Sequence, residues 1–84
     1  MVKRDRLLWR VLQGGSDASI PFADLRGLLL GLGFEERIRG SHHVFVKTGV
    51  EELINLQREG KDAKPYQVRQ VRKVLSSYGL GRDD

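Results

Sequence analysis

A chain of 84 residues without a cysteine has room for one domain with one modest core, burying about 60 to 65% of its unfolded surface, and excludes a disulfide framework or a thiolate zinc site. Fifteen Lys plus Arg against 11 Asp plus Glu give a net charge of +4, which favours polyanions or acidic proteins as partners. No apolar run approaches the roughly 20 residues needed to span a bilayer, and Val2-Lys3-Arg4-Asp5-Arg6 leads into a short amphipathic segment instead of a signal-peptide core, so a soluble, cytoplasmic protein without a membrane partner is expected.

In chain order, Leu7, Leu8, Val11 and Leu12 fall at helical spacing within residues 3 to 13, with Arg4, Arg6 and Arg10 between them and Gly14-Gly15 as a stop. Residues 14 to 19 are a turn-rich linker joining two helices of one domain. Ser19 is placed to cap a second helix from about Pro21 to Leu32, with Asp24 near its positive end. Phe22, Leu25, Leu28, Leu29 and Leu32 form a core-facing stripe, and Gly33 suits the residue after the helix. Gly27 and Gly31 inside that helix cost about 1 kcal/mol each relative to Ala; close packing against a neighbouring backbone would account for them.

From Phe34 the period changes. Residues 34 to 39, 41 to 47 and 52 to 58 predict three strands, separated by Gly40 and by the Lys47-Thr48-Gly49-Val50 turn, in an antiparallel meander. Glu59-Gly60-Lys61-Asp62 reads as a polar loop, and Pro65 suits a first helical position. Val68, Val71, Leu75 and Tyr78 are the apolar face of a last helix, and Arg82-Asp83-Asp84 is a tail expected to fray. The fold class is α+β, in the order α-α-β-β-β-α.

Chemistry concentrates in Arg39-Gly40-Ser41-His42-His43-Val44-Phe45-Val46-Lys47. Nearly all other ionisable side chains titrate far from neutrality, so the two histidines are the groups suited to proton exchange near pH 7. Neighbours on a strand point to opposite faces: His42 shares one with Val44 and Val46, His43 the other with Phe45 and Lys47. Both faces carry apolar residues, so the alternation leaves open which one packs on the helices. Two polar residues at the exposed start of a strand would look the same.

Histidines at i and i+1 cannot easily share one ion, and Glu35, Glu36, Glu51 and Glu52 are placed to solvate strand ends and turns, so neither a metal nor a cofactor is expected. Ser41 lacks the context of a hydrolase nucleophile and reads as a turn residue. RNA cleavage asks for less, because the substrate supplies its own 2′-hydroxyl nucleophile, an imidazole can serve as general base or acid, and Lys or Arg offset phosphate charge. Arg37, Arg39 and Lys47 flank His42, while Lys61 and Lys64 precede the last helix. On that helix Lys64, Arg69, Arg72 and Lys73 could track a phosphate backbone or an acidic partner, or simply form its solvated side. Trp9 and Tyr66 could stack on bases, although their spacing suits core or rim positions.

Four segments together carry a resemblance: Leu32-Gly33-Phe34, Gly40-Ser41-His42-His43-Val44-Phe45, Ile54-Asn55-Leu56-Gln57 and Lys64-Pro65-Tyr66-Gln67-Val68-Arg69-Gln70-Val71. In their order and spacing the chain resembles the HicA family of toxins over about residues 20 to 80, leaving residues 1 to 19 as an N-terminal helical extension and linker within one domain. The resemblance implies a double-stranded-RNA-binding-domain-like fold, a three-stranded antiparallel sheet with helices on one face. It also implies a metal-independent endoribonuclease that cleaves mRNA, neutralised in a hetero-oligomer by a HicB-type antitoxin that covers the active site. The family's catalytic histidine follows Gly-Ser, which points to His42, with His43 as second choice because some members place it one residue later. Arg37, Arg39, Ser41, Lys47, Lys61, Lys64, Arg69, Arg72 and Lys73 are the candidate RNA contacts. Many members carry His-Pro after the second strand where this chain has Lys47-Thr48, so any auxiliary role of that histidine is missing or taken by another group. A non-catalytic RNA-binding module of the same fold, or a protein-interaction domain for an acidic partner, are the competing functions.

Overall fold

The computed structural model describes residues 3–15 and 17–81, so the tail expected to fray lies outside the described residues. Helix α1 spans Lys3–Gln13, and a 3-10 turn at Asp17–Ser19 leads into α2, Phe22–Gly31. Strands β1 (Glu35–Arg39), β2 (His42–Lys47) and β3 (Val50–Leu56) form an antiparallel sheet in the order β1-β2-β3. A two-stranded hairpin, β4 (Arg58–Glu59) and β5 (Asp62–Ala63), precedes α3, Pro65–Ser77. The α+β class and the α-α-β-β-β-α order of the main elements match the sequence expectation. No helix among the described residues is long and apolar enough to cross a membrane.

The core lies on one side of the sheet. Phe45 of β2 and Ile54 and Leu56 of β3 are fully buried against Phe22, Leu25 and Leu29 of α2, Val68, Val71 and Leu75 of α3, and Val11 of α1. Burying each such side chain stabilises by about 1.5–3 kcal/mol. Helix α2 ends as anticipated: Gly33 takes φ +97°, its N–H donates to Leu30 O at 3.1 Å and that of Phe34 to Leu29 O at 3.1 Å, satisfying carbonyls that the last turn leaves free.

The entry to α2 departs from expectation. Ser19 does not cap it; the preceding residue is Pro21, which has no capping side chain, and the Ser19 hydroxyl instead accepts from Arg10 at 2.9 Å. The cap is supplied by backbone from the β4–β5 hairpin, where Lys61 O accepts the Phe22 N–H at 2.9 Å and Ile20 O accepts the Ala63 N–H at 2.9 Å. The segment read as a polar loop is therefore a hairpin stitched to the start of α2. Gly27 differs too: a Cβ there would meet nothing within 4 Å, so close packing does not explain it. Strand β3 starts two residues earlier than read, and the β2–β3 register slips between Phe45 and Lys47. Tyr78 is not on the buried face; its place is taken by Val74, and its hydroxyl donates to Glu52 Oε1 at 2.6 Å. Trp9 and Tyr66 are exposed, at 64% and 56%.

Candidate functional site

Gly40, at φ +57°, and Ser41 turn β1 into β2, setting Arg39 opposite His42, Ile38 opposite His43 and Arg37 opposite Val44. Because Phe45, Ile54 and Leu56 point into the helical layer, the alternation is decided: His43 faces inward with Phe45, and His42 faces outward with Val44 and Val46. One residue apart, the two imidazoles have opposite surroundings.

His42 is exposed on the open face of the sheet, and its Nδ1 lies 3.3 Å from Asn55 Oδ1 on β3. Arg39 and Arg37 share that face on β1. Gln57 Nε2 donates to Ser41 Oγ at 3.1 Å, and Lys64 Nζ donates to Gln57 Oε1 at 3.4 Å, so Ser41 and Lys64 are tied into one polar network beside His42. The network is anchored from below: the Gln57 N–H donates at 2.9 Å to Oε1 of Gln67, the one polar side chain among the described buried residues.

His43 is held between the layers. Its Nδ1 is 2.8 Å from Glu36 Oε2, and its ring meets Phe22 edge-on at 4.8 Å between centroids. Arg26 donates to both Glu36 oxygens at 2.7–2.9 Å, and the Arg58 guanidinium lies over the Phe22 ring, 4.8 Å from its centre. Hydrogen bonds from Arg26 outweigh the desolvation of Glu36 and, with help from His43, hold its carboxyl at about 2 instead of 4.5. This is the arrangement of a packed, paired side chain.

The remaining basic candidates lie elsewhere. Lys47 sits at the far end of β2, about 16 Å along the strand from His42, with Nζ 2.7 Å from where a Cβ on Gly33 would lie. There it borders a cleft of about 350 Å³ shared with Gly33, Glu35, Arg37, Val46 and Thr48. Lys61 occupies the exposed turn of the β4–β5 hairpin. Arg72 donates to both Asp17 oxygens at 3.0 and 2.9 Å and to Val11 O at 3.3 Å, bracing α3 against the N-terminal segment; those hydrogen bonds hold the Asp17 carboxyl below its usual range. Arg69 is 4.0 Å from the same carboxylate. Lys73 lies towards Glu52, whose carboxyl is lowered first by the Tyr78 hydroxyl. Of the sequence candidates, Arg37, Arg39, Ser41, His42 and Lys64 gather around one end of the sheet; Lys47 meets only Arg37, at the separate cleft, and Lys61, Arg69, Arg72 and Lys73 lie apart.

Sequence reasoning assigned no role to Asn55, Gln57 or Gln67. A signal existed: in Ile54-Asn55-Leu56-Gln57 the apolar residues alternate with amides, which places Asn55 on the face of the sheet opposite the core, with Gln57 just past the end of β3.

A family model described as the HicA toxin of bacterial toxin–antitoxin systems matches residues 22–76. No curated protein and no solved structure gives a significant match. The matched segment starts at the first residue of α2 and ends in the last turn of α3, leaving α1 outside it.

Proposed function

The chain belongs to the HicA toxin family of bacterial toxin–antitoxin systems, and on that footing we propose that it is a cytoplasmic, metal-independent endoribonuclease that cleaves mRNA with His42 as its acid–base group. The observation that carries this reading is the contrast between the two imidazoles. His42 is exposed on an open face beside two arginines, with only the neutral Asn55 against its ring, whereas His43 is packed on Phe22 and paired with Glu36.

In the reaction His42 Nε2 accepts the proton of the ribose 2′-hydroxyl. The 2′-oxygen attacks the adjacent phosphorus, the bond from phosphorus to the 5′-oxygen breaks, and that oxygen leaves with a proton from solvent. The products carry a 2′,3′-cyclic phosphate and a 5′-hydroxyl. Arg39 and Arg37, on the same face, offset the charge that builds on the phosphoryl oxygens, and Ser41 and Lys64 border the same position. Lys47, Lys61, Arg69, Lys73 and the more committed Arg72 are too dispersed to act together on one phosphate, and contribute at most to the general cationic field.

A HicB-type antitoxin would silence the enzyme by covering this open face in a hetero-oligomer. The test is incubation of purified protein with mRNA in EDTA, followed by analysis of product ends. Cleavage leaving cyclic phosphates supports the nuclease. Salt-sensitive retention of RNA without cleavage would replace it with an RNA-binding module.

A further inference from the structure

The contact between His42 Nδ1 and Asn55 Oδ1, 3.3 Å, joins the proposed acid–base group to a residue on another strand with no part in the core. An amide oxygen only accepts hydrogen bonds, so the contact requires a proton on Nδ1. In the neutral ring that proton leaves Nε2 as the unprotonated nitrogen. We infer that Asn55 is a positioning residue that selects the tautomer and orientation of His42, presenting Nε2 as the base; as a catalytic step this rests on the nuclease reading above.

The backbone around Asn55 is suited to hold it. Asn55 lies opposite Val44, between the inward-facing Ile54 and Leu56, both fully buried. Two residues on, the Gln57 N–H is fixed by the buried Gln67. Asn55 therefore projects from a strand pinned on both sides. On the elements bordering His42 the nearest charged groups by register are Arg39, opposite it, and Arg37 on β1, with Lys64 ahead of α3; the carboxylates of these elements stand farther off, Glu35 at the other end of β1, Glu36 on the covered face against His43, and Glu51 and Glu52 near the start of β3. No carboxylate hydrogen-bonds His42 among the described residues, so a neutral amide does the orienting that a carboxylate performs in many catalytic sites.

The experiment is an imidazole ¹⁵N measurement on the full-length protein, coupled to cleavage kinetics. In wild type, the neutral His42 ring should be mainly the Nδ1–H form, shifting towards Nε2–H in Asn55→Ala. That variant should lose about tenfold in kcat with little change in KM, and adding Asn55→Ala to a protein that already carries His42→Ala should cause no further loss. Asn55→Asp keeps an acceptor and adds a negative charge, so it should keep the tautomer and move the ascending limb of the pH–rate profile up by about one pH unit. A merely structural Asn55 would leave both tautomer and pH profile in place. A wild-type ring mainly in the Nε2–H form, or an Asn55→Ala variant with unchanged tautomer and kcat, overturns the inference. If the wild type cuts no RNA the nuclease reading falls, while the ¹⁵N spectrum still decides whether Asn55 orients the ring.

Discussion

The two faces of strand β2 give the same side chain opposite surroundings. On the open face His42 has one neutral partner, cationic neighbours and access to solvent; on the covered face His43 is 17% exposed and fastened to a carboxylate and an aromatic ring. The difference teaches that a histidine's chemistry is fixed by which side of the pleat it occupies, and that Phe45, Ile54 and Leu56 decide this by choosing the side that meets the helices. Solvent access leaves the outer nitrogen of His42 open to a substrate, while the packing of His43 serves stability.

That contrast can be broken in order of effect. His42→Ala is expected to lower RNA cleavage by about 10²–10⁴-fold with an unchanged melting transition; a variant that unfolds early or cleaves normally would erase the division between the faces. His43→Ala should do the reverse, costing about 2–3 kcal/mol in denaturant unfolding through the lost hydrogen bond and ring contact, while the folded fraction keeps its activity. Glu36→Gln should cost about 1–2 kcal/mol, discounted because Arg26 is 43% exposed. Since the folded-state pKa of Glu36 lies at about 2, below its ordinary 4.5, its contribution is complete above about pH 4.5 and lost as the pH falls towards 2. Acid unfolding of the Gln variant should accordingly be flatter over that interval. The smallest effect is a gain: Gly27→Ala should stabilise by up to about 1 kcal/mol by thermal unfolding, because the added methyl meets open space.

Much of this architecture was legible in the sequence, because it follows from periodicity. The stripe Phe22, Leu25, Leu28, Leu29 predicts α2, and alternation through Val44, Phe45 and Val46 predicts β2. Backbone-only features were not legible: the bonds from Phe22 to Lys61 and from Ala63 to Ile20 leave no side-chain pattern, so the β4–β5 hairpin read as a loop and Ser19 as a cap. The register slip between Phe45 and Lys47 hid the start of β3 for a similar reason. At the site, Gly40-Ser41-His42-His43 marked the right turn, but apolar residues on both faces of β2 kept the facing open until the neighbouring strand was placed. Arg72 read as a free cation because Asp17, its partner, is 55 residues away in the chain. Such a pairing exists only after folding.

The brace between Arg72 and Asp17, together with Val11 in the core, has a consequence for anyone who trims the protein. Residues 22–76 are the part shared with the family, yet Val11 is fully buried and Asp17 bonds to α3. Excising the shared segment would bare an apolar flank and leave a guanidinium without its counter-ion, so the evolutionary unit and the autonomous folding unit are not the same length of chain.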